Sequence, residues 1–522
     1  MIYLKLAIRL AAVMMLIIFA AECKKSPTKS SEPPPPSQQS LLVSRLSVSF
    51  VPGGSENITV IATNKAGAPE TFTMSMGDAG VATVAAVSDS VIRVTGVSYG
   101  KTNLTITSNS GSSVVVPVWV YNHRVLDVGE LEVAYCDSFE YRWCDRGSGL
   151  PIDGSYYHPL PADGFKALGS LGFSGYYNPK NIHAVMVVKA KDGSTALASP
   201  IDYTLAWSDQ GSGADDDGSF WIPVPPAGYK PLGIVAQRGY GKPSLNDVVC
   251  VRQDLTIMGE AGEYIWGFCI TIIQPPIGFG SWEIDPPDAG PHDDAYLSTG
   301  TFVALQSCNP PSVHQVMNVL NIPLPMLAEA PYQTYVPKLT GFDSPPEETV
   351  PLMAREMLVP CTIVKDALYD GSNPNWRIDN SPFYRLERQV FYKLLYHNYN
   401  QTSEVQTNSV LIRSGVTTTE SESYWNETSI SVTVEAGVSI EMFSGKVSTT
   451  VSTSFGYGTM TSVAELQEKE VSSSINTPPG KAAALWQKFN RYVLKRHNGT
   501  SLEPVAAWEF GIDSYVTDEY PD

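Results

Sequence analysis

The stretch SISVTVEAGVSIEMFSGKVSTTVSTSFGYG, Ser429–Gly458, alternates strictly and then changes phase. Ile430, Val432, Val434, Ala436, Val438, Ile440 and Met442 are apolar, and the residues between them are Ser, Thr, Glu or Gly. Past Gly445 the parity reverses. Val447, Thr449, Val451, Thr453, Phe455 and Tyr457 form one set, and Lys446, Ser448, Thr450, Ser452 and Ser454 form the polar one. A two-residue turn at Ser444–Gly445 would pair Met442 with Val447, Ile440 with Thr449, Val438 with Val451 and Val434 with Phe455, apolar against apolar on one face. Phe443 would stand at the tip. Each arm is about 13 residues, or ~43 Å at about 3.3 Å per residue, whereas ordinary strands run to about 5–6 residues. One apolar face and one Ser/Thr-coated face is the pattern of a transmembrane β-barrel strand. A long hairpin packed on a neighbour also alternates, but has little reason for so uniform a Ser/Thr coat.

The flanks EVQTNSVLIRSGVTTTESESYWNETS and MTSVAELQEKEVSSSINTPPG are equally long, polar and strand-like. With the Pro478–Gly480 turn and the strand through Trp486 and Val493, residues 400–515 resemble the elongated β domain of aerolysin-type pore-forming proteins. The resemblance implies a membrane-inserting hairpin at 429–459, within a C-terminal domain 396–522. It also implies a homo-oligomer, because one chain supplies one hairpin and a barrel leaves no open edges.

The rest of the chain fits an exported all-β protein. Its 522 residues suffice for several domains. Gly (41) and Pro (39) are plentiful and helical periodicity is scarce, as in a turn-rich β chain. With 53 acidic against 35 basic residues the net charge is −18, which argues against a nucleic-acid partner. Residues 1–22 carry Lys5 and Arg9 before an apolar run too short for a comfortable membrane span. Cys23 follows at once, and the arrangement resembles a bacterial lipoprotein signal, which implies lipidation of Cys23 and a location in the cell envelope or at the cell surface. Glu22 stands where that pattern expects a small residue. Residues 23–40 are a Pro/Ser linker. The six further cysteines, Cys136, Cys144, Cys250, Cys269, Cys308 and Cys361, permit disulfides in an oxidising compartment. Cys136 and Cys144 are near enough in sequence to pair across a turn.

Residues 41–122 are short alternating strands. Val81–Val84, Val94–Ser98, Gly100–Thr107 and the closing strand Val114–Val120 resemble the group-2 bacterial immunoglobulin-like domain. That implies a β-sandwich spacer. The middle of the chain repeats itself. WCDRGSG (Trp143–Gly149) recurs as WSDQGSG (Trp207–Gly213), and PLPADGFKALG (Pro159–Gly169) as PVPPAGYKPLG (Pro223–Gly233), both at an offset of about 64. A weaker third unit is expected at Trp282–Phe302, giving a pseudo-threefold β architecture. These repeats, with the stretch from Ile201 to Leu255 and NPNWRIDNSPFYRLERQVFY (Asn373–Tyr392), resemble the vacuolar protein sorting-associated protein 62 family over roughly residues 130–395. The resemblance implies a β-prism-like domain, assigned here to 123–395, and no enzymatic activity.

Candidate ligand-binding residues are Trp143, Asp145, Trp207 and Asp209, an aromatic ring beside an acidic Gly-rich loop that suits a glycan or surface receptor. The competing reading is core tryptophans and turn-capping aspartates. The Asp215–Asp217 run reads as a solvated loop, no spacing marks a metal or cofactor site, and no catalytic motif is present. Two functional classes remain: an exported lipoprotein that binds a surface target and forms oligomeric pores, and a non-lytic adhesin or carbohydrate-binding protein on a rigid β stalk.

Overall fold

The computed structural model describes residues 40–65, 67–180, 182–270, 277–287, 295–324, 326–329, 336–361, 364, 366, 375–417, 430–434, 438–442, 447–448, 467–502 and 507–521. Residues 1–39, with the expected signal segment, Cys23 and nearly all of the linker, lie outside them. Among the described residues the fold is β throughout apart from the helix Asn375–Asn380 and a 3-10 turn at Gln253–Leu255.

The N-terminal module is a two-sheet sandwich. Ser40–Val43, Ser55–Thr63, Val91–Gly96 and Ala82–Ser88 form one sheet, and Val48–Phe50, Ser113–Val120, Gly100–Ser108 and Phe72–Met76 form the other. Alternation drives it. Ile58, Val60, Ile92 and Val94 from the first sheet meet Leu104, Ile106, Val116 and Val118 from the second in one buried core, while their neighbours face outward.

The middle module is built from three copies of one unit. Each copy has a three-stranded antiparallel inner sheet: Phe139–Cys144, Gly154–Pro159 and Leu171–Ser174; Asp202–Ser208, Gly218–Val224 and Val235–Arg238; Glu260–Ile270, Ile277–Asp285 and Phe302–Leu305. A second sheet accompanies each, centred on Val185–Ala190, Cys250–Arg252 and Asn318–Ile322. The third unit begins earlier than the sequence suggested. Its tryptophan equivalent to Trp143 and Trp207 is Trp266, because all three follow a register shift, at Tyr141/Trp143, Leu205/Trp207 and Tyr264/Trp266. Trp282 lies on the next strand, opposite Tyr264.

The C-terminal module has a five-stranded antiparallel sheet in the order Met326–Glu329, Leu352–Pro360, Phe383–Tyr399, Ala482–Lys495, Ala507–Tyr520. Phe383–Tyr399 runs for 17 residues at its centre. Phe383–Tyr392, the second half of the Asn373–Tyr392 stretch, therefore belongs to this sheet and not to the prism. Cys269 and Cys308 form a disulfide, while Cys136, Cys144, Cys250 and Cys361 are free thiols. The expected Cys136–Cys144 pairing is thus absent: Cys136 Sγ donates to Ser138 O, and Cys144 Sγ accepts from the Tyr141 hydroxyl.

Candidate functional site

The prism closes on three indoles. A β-bulge re-aims a side chain, and here each bulge turns one tryptophan onto the pseudo-threefold axis. Trp143, Trp207 and Trp266 meet edge to face at centroid distances of 5.3, 5.1 and 5.5 Å, an arrangement that ring quadrupoles favour. Each indole leans on the next unit in rotation. A Cβ at Gly218 would lie 2.3 Å from Trp143, and one at Gly154 would lie 2.5 Å from Trp266. The position matching Gly154 and Gly218 in the third unit is Phe279, which stacks on Trp207 at 4.7 Å and 21°. Glycine is required at two positions by close approach, and the third unit uses a ring instead.

The aspartates of the repeat are equally internal. Asp145 is 1% and Asp209 4% exposed. Asp145 Oδ1 accepts from the Gly154 amide at 2.8 Å and the Tyr176 hydroxyl at 2.7 Å, and Oδ2 accepts from Ser148 Oγ at 3.1 Å. Asp209 Oδ1 accepts from the Gly218 amide at 3.0 Å, and Oδ2 from Trp143 Nε1 at 3.1 Å. Ser148 N and Ser212 N close the same turn on Asp145 O and Asp209 O. These are backbone caps repeated at a fixed offset, since a buried carboxylate must be hydrogen-bonded. Trp143, Asp145, Trp207 and Asp209, taken from sequence as ligand candidates, are buried in the domain centre and offer no open face to a sugar. In the third unit Phe268 and Phe279 replace the Asp and Gly, so the cap is lost. The Cys269–Cys308 disulfide then joins the positions at which the first unit stacks Arg146 on Tyr176 at 4.9 Å.

The outer loops carry the hydroxyls and carboxylates that remain. Asp216 accepts from the Tyr141 hydroxyl at 2.9 Å and Asp217 from the Tyr240 hydroxyl at 2.9 Å, so part of the Asp215–Asp217 run is engaged by tyrosines. Burial, reinforced by hydrogen bonds to Cys144 and Asp216, pushes the Tyr141 phenol up and keeps it a donor.

In the C-terminal module a two-stranded ribbon, Gln406–Ser414 paired with Lys469–Thr477, branches from the large sheet. Ile412 and Ile475 anchor it against Ala483 and Leu485, and the Ser414 end opposes Lys469. The alternating segment lies between these two strands in sequence. Its first arm is not one strand of a long hairpin. Ile430–Val434 pairs with Val438–Met442, setting Ile430 opposite Met442, Val432 opposite Ile440 and Val434 opposite Val438. The arm thus reverses between Val434 and Val438, and Ser444–Gly445, the turn expected from the sequence, lies outside the described residues. Apolar positions still oppose apolar ones, because an antiparallel pairing of even with even residues preserves the parity. Val447–Ser448 adds to the third prism unit, with Val447 opposite Leu297 and Ser448 opposite Tyr296. Phe443, Val451 and Phe455 lie outside the described residues.

Sequence reading missed the contact between the first and last modules. Three cations, Arg45, Arg385 and Lys495, and three carboxylates, Glu56, Glu356 and Glu387, form one cluster. Arg45 reaches Glu387 at 2.8 Å, Arg385 reaches Glu56 at 2.8 Å and Glu356 at 2.5 Å, and Lys495 reaches Glu387 at 2.8 Å. The Glu356 and Glu387 side chains are wholly buried. Burial opposes ionisation of Glu387, but Arg45, Lys495 and Arg385 outweigh it and hold its carboxyl well below the usual range. Burial dominates at Glu356 and pushes its carboxyl up. Arg385 and Glu387 alternate with Tyr384 and Leu386, which reads as an ordinary solvent-facing polar set, so the cluster had no signal in the local period.

Comparison with known proteins agrees with this division. Residues 114–341 match the family described as vacuolar protein sorting-associated protein 62. Residues 352–516 match the family described as insecticidal crystal toxin, P42. Residues 69–125 match the pilus formation protein N terminal region. Asn373–Tyr392 falls within the toxin match, as its place in the sheet requires. No curated protein matches the chain. Among solved structures, GNIP1Aa from Chromobacterium piscinae is 24% identical with a TM-score of 0.30, over 37% of this chain and 35% of that one. Cry35Ab1 is 12% identical with a TM-score of 0.28, over 76% of this chain and 91% of that one. Domains 4 and 5 of the S-layer protein SbsC are 25% identical with a TM-score of 0.15, over 16% of this chain and 46% of that one. The chain thus carries a toxin-like β module after a prism of three units.

Proposed function

We propose that the protein is an exported toxin-like lipoprotein whose C-terminal module forms an oligomeric β-barrel pore after the prism has bound a glycan or receptor on a target surface. The observation that carries this reading is the phase of the ribbon. Gln406–Ser414 and Lys469–Thr477 pair even residues with odd ones, as in Ser414 with Lys469 and Ile412 with Val471. Continued without a slip, that register sets Val432 opposite Val451 and Val434 opposite Thr449. The even apolar residues up to Ala436 then meet the odd β-branched set from Val447 onward on one face, with the turn at Glu441–Met442, three residues before the Ser444–Gly445 turn read from the sequence alone. The parity reversal in the sequence is what such an extension needs. In this reading the folded-back arm and the Val447–Ser448 contact with the prism are a stored form of the hairpin. Several copies supply one hairpin each, and the barrel closes the strand edges. Lipidation at Cys23 tethers the protein through the Pro/Ser linker. The match to a toxin family supports the reading.

The test is dye release from liposomes by the chain lacking residues 1–40. A second form carries Leu297→Cys and Val447→Cys, at positions paired across the two modules. Release by the first form, abolished in the oxidised second form and restored by reduction, is the expected result. Equal release from the locked form would remove the hairpin from the mechanism. Binding to cells without release from any membrane would favour the adhesin.

A further inference from the structure

Two histidines from different modules lie face to face where those modules meet. His123 belongs to the junction that leaves the sandwich after Ser113–Val120 and enters the prism at Leu126–Val128. His497 belongs to the turn that follows Ala482–Lys495 in the C-terminal sheet. Their rings stack at 4.3 Å and 15°. Each is also tied to the end of the short helix Asn375–Asn380, His123 to the backbone of Asp379 and His497 to that of Asn380. The His497 amide donates to Ser381 Oγ at 3.1 Å. His497 Nδ1 is buried and has no hydrogen-bond partner among the described residues.

We propose that His123 and His497 form an acid-released latch between the N-terminal sandwich with its junction and the C-terminal module. As neutral rings they stack without charge conflict. A proton on His497 would add either a buried N–H with no acceptor or a cation against the other ring, and a proton on both would place two like charges in contact. The surrounding charges add to the opposition. Arg124 adjoins His123, and its guanidinium is engaged by Asp379 at 2.8 Å. Arg385 faces His497 from the long central strand. Arg496, next in sequence, is already held by Asp366 at 2.7 Å, and Lys495 by Glu387 at 2.8 Å. Among the described residues no carboxylate is left to take up an imidazolium at the stack without giving up a cation, since Asp379, the one that acts on His123, is engaged by Arg124. Burial, then Arg124, depresses His123, and burial, then His123, depresses His497 to about 4. The docked state therefore holds fewer protons than the separated one. Docking is complete above an ordinary histidine pKa of about 6.5 and is lost as pH falls through about 4 at His497. With two imidazoles taking up protons, the docking constant falls by up to about a hundredfold per pH unit, and by about tenfold with one. Glu356, whose carboxyl burial pushes up, works in the other direction, and Glu387, which the cations hold down, works with the histidines. The inference does not rest on pore formation, because its readout is separation of the modules.

The test is hydrogen exchange of the full chain between pH 7.5 and pH 4, corrected for the intrinsic pH dependence of exchange. Peptides spanning Val120–Leu126 and Leu494–Thr500 should lose protection between pH 6.5 and pH 4, while peptides around Trp143 and Trp266 keep theirs. The double variant His123→Phe, His497→Phe keeps a ring stack and removes both titrations, and should stay protected to pH 4. His123→Phe alone should halve the steepness, which keeps the test open if the double variant fails to fold. Unchanged protection of the wild type across this range would overturn the latch. So would opening of the variants in step with the wild type, since the titrating groups would then lie elsewhere.

Discussion

Replacing Arg385 with Met should unfasten the sandwich from the C-terminal module with a pH signature. The guanidinium lies 2.5 Å from Glu356, 2.8 Å from Glu56 and 3.6 Å from Glu387, and its side chain is 1% exposed. With Arg385 the cluster balances three cations against three carboxylates, and without it the same buried volume carries one uncompensated negative charge. Breaking a buried pair by removing one partner costs about 3–5 kcal/mol. Glu356 bears most of this, because Arg385 is the largest influence lowering its pKa while burial already pushes it up. In the variant its folded pKa rises further above the unfolded carboxyl. A raised folded pKa favours the protonated native state, so the deficit is full at pH 8 and shrinks as pH falls towards 5. Urea unfolding followed by tryptophan fluorescence, at pH 8 and pH 5, measures both quantities. Adding Glu356→Gln removes the orphaned charge and should recover about 1–3 kcal/mol at pH 8. A cost under about 1 kcal/mol at pH 8, or one equal at both pH values, would show that water reaches the cluster and that it does not fasten the modules.

Gly218→Ala should destabilise the prism by about 1–3 kcal/mol or more, because its Cβ would meet the Trp143 ring at 2.3 Å, and differential scanning calorimetry would show it. Cys269→Ala with Cys308→Ala opens a loop of sequence separation 39 and should cost about 3–4 kcal/mol on the chain-entropy argument, read as a lower urea midpoint. Asp145→Asn and Asp209→Asn should each lower stability by about 0.5–2 kcal/mol as weakened caps and leave binding to glycan arrays unaltered; lost binding with unchanged stability would return them to a recognition role. Intact mass of the membrane-extracted protein should show an acylated Cys23 at the mature N-terminus, and an unmodified Cys23 would end the lipoprotein reading.

The parts of this molecule that were legible from sequence are those set by local period. Alternation marks the sandwich strands, because each strand buries one face against a partner sheet whatever that partner is. The offset of 64 between the WxDxGSG turns revealed two units, since Asp, Gly and Trp there serve one another within and between neighbouring copies. The third unit was misplaced for the same reason. Once Phe268 and Phe279 fill the space of the Asp and Gly and a disulfide ties the loop, the turn no longer needs the residues by which it was recognised. Only the bulge and its tryptophan survive, and a single Trp266 is a weak signal. Pairing partners are less legible still. The even-numbered apolar positions from Ile430 to Met442 are compatible with folding back on themselves and with opposing the strand after Gly445, and parity alone cannot separate these. The choice depends on what else each strand can pair with, Leu297 of the prism in one case and a neighbouring copy in the other. A sequence that satisfies two pairings has the property a stored membrane hairpin needs, since conversion then exchanges one set of backbone hydrogen bonds for another while the apolar residues from Ile430 to Ile440 keep to one face.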